Sequence, residues 1–282
     1  MLVPAALEGF GAVGAIPQVM EPGVIKIGID PMIHLGPVTI AWHGLTIALG
    51  ILIGGVAAMR EARQRDMDPE PIVTMGAILV ASSLVGAKVY YVMEHGLLLK
   101  PAEWFSTRGF TFYGGFIAAA LALAVYVRRQ RLRVAYLDLV ALALPLGLAV
   151  GRIGDVINGE HYGPATRFFL GVQNTHPDAD VPSPDVAYHS GGLYEVLIGA
   201  VVFAIVWPLR KRLRRPTAVV WTVVALLAAG RFVEFFSRSD SETLALGLET
   251  AQWTSLFLIA VAGVGAWFTL ARRTPDRELT PT

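Results

Sequence analysis

Long runs of apolar residues, separated by short polar segments, dominate the pattern of this chain. Seven runs reach about the 20 residues that a helix needs to cross the hydrocarbon core of a bilayer. They lie at 37–59, 72–94, 109–127, 135–158, 191–209, 217–237 and 252–271. The pattern predicts an all-α integral membrane protein with seven transmembrane helices.

Basic residues are concentrated in alternate connections between these runs. They are Arg60, Arg63, Arg65, Arg128, Arg129, Arg131, Arg133, Arg210, Lys211, Arg212, Arg214, Arg215, Arg272, Arg273 and Arg277. Cytoplasmic loops are enriched in Lys and Arg, so these segments are expected to be cytoplasmic, with the N-terminus outside and the C-terminus inside. An irregular cap is expected in the outer loop 159–190, which is rich in proline and aspartate. Residues 1–282 are expected to form a single membrane domain.

Composition agrees with a membrane protein and excludes other classes. The chain is 54% hydrophobic and 16% charged, whereas soluble domains are about 25% charged. Its mean hydropathy is +0.56. The net charge of +1, without a basic face, argues against nucleic-acid binding. The chain has no cysteine, so a thiol in its chemistry must come from a partner.

Polar side chains occur near the outer ends of six predicted spans. They are His43, Lys88, Tyr113, Arg152, Asp155, Tyr194, Glu195, Arg231, Glu234 and Arg238. One Arg or Asp at the centre of a span costs about 2.5–3.5 kcal/mol on insertion scales, so such groups are functional candidates. Spacings of three or four residues place Arg152 with Asp155, and Glu234 with Arg238, on one helix face. The plainer interpretation is that these ion pairs only join helices.

The types of these residues indicate chemistry on an anionic lipid. A guanidinium offers two parallel donors to a phosphate and stays charged. The residues that could move a proton are His43, Tyr113, Glu160 and Glu234. Transfer chemistry on a phospholipid head group is therefore predicted, without a cofactor. No metal is expected, because His176 and His189 show no regular ligand spacing with the nearby aspartates.

Several motifs in order along the chain resemble those of the prolipoprotein diacylglyceryl transferase family. The most specific is the segment GRIGDVINGE at 151–160, preceded by DLV at 138–140 and PLGLA at 145–149. Weaker matches are Asp30-Pro31, WHGL at 42–45, FYGG at 112–115, His189 with LYE at 193–195, RFVEFF at 231–236, Gln252 and Ser255. Together they cover about residues 30–265.

The resemblance implies a multi-pass enzyme of the bacterial inner membrane. Such an enzyme transfers the diacylglyceryl group of phosphatidylglycerol to the lipobox cysteine of a prolipoprotein signal peptide. Its expected partners are therefore these two substrates and the membrane lipids, and no nucleic acid is expected. By resemblance the catalytic residues are His43, Tyr113, Arg152, Glu160, Arg231 and Glu234. The substrate-binding residues are Arg152, Asp155, Asn158, Lys88, Tyr194, Glu195 and Arg238. Arg152 with Arg231 or Arg238 would stabilise the departing phosphate.

The chain departs from the family pattern at a few positions. His43 stands where the family usually has Tyr, and Tyr113 where it usually has a catalytic His, so an imidazole and a phenol have exchanged places. Asp155 replaces a common Asn, and Lys88 a common Arg. Glu234 follows Arg231 by three residues, where the family typically has four. These differences leave open whether His43 or Tyr113 is the base.

Two other classes of function remain to be tested. One is a family-related protein that binds lipid or lipoprotein without transferring a group. The other is a seven-helix transporter or receptor. A retinal protein would need a lysine in the run 252–271, which has none, and the internal repeats typical of transporters are not evident.

Overall fold

The computed structural model describes residues 23–106, 109, 111–238 and 243–271, apart from the side chains of Phe112 and Tyr113. The fold is mostly helical. The helices are α1 (Trp42–Gln64), α2 (Glu70–Glu94), α3 (Pro101–Trp104), α4 (Phe112–Arg129), α5 (Ala135–Gly151), α6 (Ile153–Asn158), α7 (Gly191–Leu209), α8 (Ala218–Glu234) and α9 (Thr250–Ala271), with a 3₁₀ turn at Phe235–Ser237. Arg272, Arg273 and Arg277, which entered the orientation prediction, lie outside the described residues.

Six segments are long and apolar enough to cross a membrane. They are Trp42–Gln64, Glu70–Glu94, Ala135–Asn158, Gly191–Leu209, Ala218–Ser237 and Thr250–Ala271. The third predicted span, 109–127, is largely covered by α4, whose first two side chains are not described. Large apolar side chains such as Leu52, Leu121 and Phe257 are more than 60% exposed, as expected where lipid replaces water around the helices. The chain is a multi-pass membrane protein.

The expected all-α class is wrong in one respect, because one end of the bundle carries two small sheets. Strands β1 (Ile25–Ile27), β4 (Tyr162–Ala165), β5 (Val172–Asn174) and β6 (Tyr188–Ser190) form a sheet of order β1-β5-β6-β4. Only β1 and β5 are parallel. Strands β2 (Met32–Leu35) and β3 (Val38–Ala41) form an antiparallel hairpin. Strands of three or four residues are too short to give a periodic signal, yet they satisfy backbone groups that an irregular cap would leave unpaired.

Two span boundaries also differ from the prediction. The apolar run beginning at 37 starts with β3, so α1 begins only at Trp42. The run 135–158 is divided at Arg152 into α5 and α6. Hydrophobicity does not separate an apolar hairpin from the helix that follows it, and this explains the first difference.

Buried apolar and buried polar side chains are distributed unevenly between the two ends of the bundle. We call the end with β1–β6 the sheet end and the opposite end, where α1, α4 and α7 finish, the basic end. An apolar core that includes Met75, Leu139 and Val127 lies toward the basic end. The buried polar groups toward the sheet end include Asp155, Asn158, Glu195, Glu234, Gln252 and Ser255.

Buried carboxylates join helices at the basic end. Asp138 of α5 accepts hydrogen bonds from the backbone N–H groups of Thr217 and Val220, at 2.8 and 3.1 Å, and so caps the start of α8. Glu61 of α1 accepts from Nε of Arg65 at 2.8 Å and from Nε of Arg210 at 2.7 Å. The guanidinium of Arg210 also stacks on the ring of Trp207. These contacts tie α1 to the end of α7.

Replacing Glu61 with leucine is expected to destabilise the protein by about 3–5 kcal/mol, because Arg210, 8% exposed, would keep a buried charge without its partner. Thermal unfolding in detergent measures the effect as a lower melting temperature. The exposed Glu70 is a matched control at the same end of the bundle. Glu70→Gln is expected to change stability by less than about 0.5 kcal/mol. Equal melting temperatures for the two variants would contradict the role of the pair.

Candidate functional site

The site is built around the break between α5 and α6. The hydroxyl of Thr46 on α1 donates to the carbonyl of Gly151 at 2.7 Å and accepts from the N–H of Gly154 at 3.1 Å. A Cβ atom at Gly154 would lie 2.6 Å from the Cα of His43, so only glycine lets the two helices approach this closely. Thr46 thereby satisfies backbone groups at the break and fixes Arg152 beside α1.

The end of α6 turns the chain back toward α1. Gly159 has φ +78° and ψ +14°, the left-handed conformation that commonly ends a helix. The N–H of Glu160 then donates to the carbonyl of Asp155 at 3.0 Å. As a result, Oε2 of Glu160 lies 3.3 Å from Nδ1 of His43, and its Oε1 accepts from Nδ2 of Asn158 at 2.8 Å.

Asp155 connects His43 to Arg152. Its Oδ1 accepts a hydrogen bond from Nδ1 of His43, and its Oδ2 accepts one from Nη1 of Arg152. Asp155 is fully buried, whereas the side chain of His43 is 38% exposed. Because a carboxylate only accepts, Nδ1 of His43 carries a hydrogen, and in the neutral imidazole Nε2 has the free lone pair. His43 is therefore held in one orientation with a potential base at Nε2.

Glu195 continues this chain of charges to Arg231. The side-chain hydroxyl of Ser190 caps α7 by accepting from the N–H of Leu193 at 3.2 Å, which places Glu195 in the first turns of that helix. Its Oε2 forms an ion pair with Nε of Arg152, and its Oε1 accepts from Nη1 of Arg231. Glu195 is 1% exposed. We call the connected set His43, Asp155, Arg152, Glu195 and Arg231 the arginine–carboxylate network.

A second ion pair lies beside this network. The 3₁₀ turn after α8 places Arg238 so that its Nη1 donates to Oε1 of Glu234 at 3.1 Å. The Nη2 of Arg238 donates to Nδ1 of His161 at 3.1 Å, and Nε2 of His161 lies 3.9 Å from Asp155. The guanidinium of Arg238 also lies over the ring of Phe235. His161 therefore connects this pair to the network.

Two predicted site residues, Tyr194 and Lys88, form hydrogen bonds with residues outside the arginine–carboxylate network. Nδ1 of His189 and the hydroxyl of Tyr194 form a hydrogen bond of 2.5 Å, and partial burial lowers the pKa of His189 below its usual value. Lys88 is buried, and its Nζ donates to the carbonyl of Ser106 at 2.8 Å, on the α2 and α3 side of the bundle. The side chain of Tyr113 lies outside the described residues.

Some polar atoms of the site point to a ligand. Asn158 Oδ1 and Glu234 Oε2 are buried and accept no hydrogen bond from the residues that the structure describes. Buried polar groups are normally paired, so each calls for a partner of another kind. Within the same part of the chain, Nη2 of Arg152 is not used in its bonds to Asp155 and Glu195. The site thus offers two acceptors and one charged donor.

A metal ion fits this site poorly. His43, Asp155 and Glu160 each bring one ligand atom within 4.8 Å of the other two, which is close enough for shared coordination. Both oxygens of Asp155 are already hydrogen-bonded, one to His43 and one to Arg152. A divalent cation would have to displace either the His43 hydrogen bond from Oδ1 or the Arg152 guanidinium from Oδ2, so the donor set suits an anionic substrate better.

Two residues of the site are missing from the sequence-based prediction. Thr46 is three residues after His43 and so shares its helix face, a signal that could have identified it. His161 directly follows the GRIGDVINGE segment. Its contact with Arg238 depends on the fold and has no signal in the sequence.

The fold and the site together define a multi-pass membrane protein with paired arginines and carboxylates in one half of its helix bundle. Residues 31–268 match the family model described as prolipoprotein diacylglyceryl transferase, so the chain belongs to that family. It is 35% identical over 248 residues to the phosphatidylglycerol–prolipoprotein diacylglyceryl transferase of Geobacillus kaustophilus strain HTA426, covering 83% of this chain and 90% of that protein.

Relatives of the same name occur in other bacteria. The protein of Streptococcus sanguinis strain SK36 is 30% identical over 253 residues, covering 84% of this chain and 94% of the relative. That of Thermosynechococcus vestitus strain NIES-2133 is 33% identical over 251 residues, covering 83% and 89%. The similarity extends over most of both chains, so it includes the helices that carry the network.

Proposed function

We propose that this protein transfers the diacylglyceryl group of phosphatidylglycerol to the lipobox cysteine of prolipoproteins. The observation that carries the proposal is the arginine–carboxylate network, in which Arg152 keeps Nη2 available beside an imidazole oriented by Asp155. Membership of the family, and the names of the relatives, support the same activity. A phosphate-binding cation and a base are the two groups that this reaction requires.

The reaction exchanges one bond at the glycerol backbone of the lipid. His43 Nε2 takes the proton of the cysteine thiol, and the thiolate attacks the glycerol carbon that bears the phosphate. The carbon–sulfur bond forms as the carbon–oxygen bond breaks, and glycerol phosphate leaves. The phosphate changes from a singly charged diester to a monoester with a charge of about −1.5 to −2. Because negative charge grows on the leaving group, a fixed guanidinium stabilises the transition state more than the bound substrate.

The carboxylates control how the arginines bind phosphate. Asp155 and Glu195 hold the planar guanidinium of Arg152 in one orientation, and Glu195 does the same for Arg231. The two carboxylates also offset part of the positive charge of the arginines. The site therefore does not hold the product dianion as tightly as bare arginines would. Asp155 further stabilises the imidazolium that forms on His43.

The remaining site residues are proposed to bind the lipid. Asn158 Oδ1 and Glu234 Oε2, the buried acceptors, would receive hydrogen bonds from the hydroxyls of the glycerol head group. Glu160 orients Asn158 and His43, while Arg238 and Tyr194 line the neighbouring walls. Lys88 borders a groove of about 320 Å³ with Leu84, Val85, Val89 and Trp104, where an acyl chain would fit. Tyr113 is the alternative base.

The proposed setting is the bacterial inner membrane. The chain would cross it seven times, with α4 as the third span, the N-terminus outside and the C-terminus cytoplasmic. The basic residues at the ends of α1, α4 and α7 support this orientation. The sheet end would then face outward, and residues 1–282 would form a single membrane domain.

The test is incubation of the purified protein with phosphatidylglycerol and a lipobox peptide, followed by mass spectrometry of the peptide. A diacylglyceryl thioether is expected, and a peptide with serine in place of the cysteine is the control that should gain no mass. If no adduct forms in the presence of excess lipid, the proposed transferase activity is contradicted. Binding of phosphatidylglycerol without an adduct would indicate a lipid-binding relative, and failure of both would favour a transporter or receptor.

A further inference from the structure

A second group of ligating side chains lies at the sheet end and shares no residue with the arginine–carboxylate network. Asp30, His176 and Asp178 each offer one ligand atom, and these atoms lie within 4.8 Å of one another. Nε2 of His34 is 3.4 Å from Oδ2 of Asp30. We propose that this group binds a divalent transition-metal ion of the zinc class, with Asp30, His176 and Asp178 as ligands, and that the exposed side chain of His34 rotates to become the fourth.

Strand pairing brings these residues together from distant parts of the sequence. In the parallel pair of β1 and β5, Ile27 lies opposite Asn174. The N–H of Thr175 donates to the carbonyl of Ile27 at 2.7 Å, which extends the pairing by one residue. Asp30 follows β1 and His176 follows β5, so both leave the sheet on the same side. The spacing of histidines and aspartates within the loop alone could not reveal this ligand set.

The side chains are held in forms that suit metal binding. The N–H of Asp178 donates to Nδ1 of His176 at 3.2 Å, which shows a neutral imidazole whose lone pair lies on Nδ1, and a metal ion would take this lone pair over from the N–H. The N–H of Met32 donates to Oδ1 of Asp30 at 2.8 Å and fixes this carboxylate. Ligand atoms around a tetrahedral zinc ion are about 3.4 Å apart. The side chain of Asp178 is 77% exposed and can move by the distance required.

The local charge also favours a cation here. Among the described residues, no Arg or Lys forms an ion pair with Asp30, His176 or Asp178. In the arginine–carboxylate network, by contrast, Asp155 already forms an ion pair with Arg152. Calcium and magnesium prefer sites made of oxygen ligands, whereas imidazole together with carboxylate suits zinc and its neighbours. The chemistry of the ligands therefore selects a transition metal.

A metal at this position would join two segments that border the catalytic site. The carbonyl of Asp30 accepts from Nε1 of Trp42 at 3.0 Å, immediately before His43. The N–H of Asp180 donates to the carbonyl of Asn158 at 2.8 Å. Binding is therefore expected to stabilise the sheet end of the folded protein. This inference does not depend on the proposed transferase activity.

The test is a zinc titration of the full chain, purified in detergent without a polyhistidine tag and stripped with a chelator. Because the chain has no cysteine, thiolates do not contribute to the binding. Wild type is expected to bind about one Zn²⁺ per chain, and His176→Ala and Asp178→Asn to bind at least about tenfold more weakly. Asp185→Asn removes an exposed carboxylate from the same loop and should bind like wild type.

Two further measurements make the outcome decisive. Zn²⁺ is expected to raise the melting temperature of wild type and of His43→Ala, but not that of His176→Ala. Asp178→Asn changes an exposed side chain, so its melting temperature without metal should equal that of wild type. The proposal is overturned if wild type binds no Zn²⁺, if both ligand variants bind as wild type does, or if His43→Ala alone abolishes binding.

Discussion

Replacing Arg152 with lysine is expected to lower the rate of diacylglyceryl transfer by about 100-fold or more. Arg152 uses Nη1 for Asp155 and Nε for Glu195, and its planar fork leaves Nη2 for the phosphate. A lysine ammonium keeps the charge but cannot present three donors in this fixed arrangement. Loss of one preorganised donor to a developing anion typically costs about 10²–10³ in rate. Single-turnover formation of the thioether measures the effect.

A control must separate this effect from misfolding, because Asp155 and Glu195 would lose a partner in a buried setting. The melting temperature and the binding of phosphatidylglycerol are therefore measured for the same variant. Arg167 is an exposed arginine at the sheet end, and Arg167→Lys is expected to keep the wild-type rate. If Arg152→Lys binds lipid and transfers as fast as wild type, Arg152 does not stabilise the leaving phosphate.

Much of the helical framework could be predicted because a membrane span is defined by its length and apolarity. The run 191–209 coincides with α7, and the other long helices differ from their runs mainly at the ends. The strands could not be predicted in the same way. Pairing of β1 with β5 joins residues 25–27 to residues 172–174, and such a long-range contact leaves no local pattern.

The depth of the site along the helices could be predicted from the sequence, but the contacts between its side chains could not. Distance from the end of a span gives the depth of a side chain at about 1.5 Å per residue. Depth alone placed Arg152 and Glu195 at the same level, whereas their ion pair depends on how α5, α6 and α7 are rotated. For Lys88, the depth in the sequence-based prediction did not identify the contact that the side chain makes. It has the expected depth on α2, but its Nζ contacts Ser106.

The pairing of the arginines changes how the phosphate site is interpreted. The spacing in the sequence predicts a pair of Arg152 with Asp155, and the structure adds the pairs of Arg152 with Glu195 and of Arg231 with Glu195. Two buried carboxylates beside two arginines leave little net charge at the centre of the network. Selectivity for the transition state over the substrate then depends on the orientation of Nη2 more than on total charge.

Replacing His43 with glutamine is expected to lower the transfer rate at pH 7 by about 10²–10⁴, the usual contribution of a general base. The variant would then rely on cysteine thiolate that forms without assistance. An unperturbed thiol has a pKa near 8.5, so its thiolate fraction rises from about 3% at pH 7 to about 50% at pH 8.5. The residual rate of the variant should therefore rise about 16-fold over this range. Wild type, which carries its own base, should change much less.

The same pH series distinguishes the two candidate bases. In His43 the hydrogen bond to Asp155 leaves Nε2 as the acceptor of a proton, and imidazole is the side chain best suited to exchange a proton near neutral pH. A phenol with a pKa near 10 is almost fully protonated there and cannot accept a proton without first losing one. Tyr113→Phe is therefore expected to retain the shallow pH profile of wild type. If Tyr113→Phe gives the steep profile and His43→Gln does not, the phenol is the base, and the exchange of imidazole and phenol has not moved that role to α1.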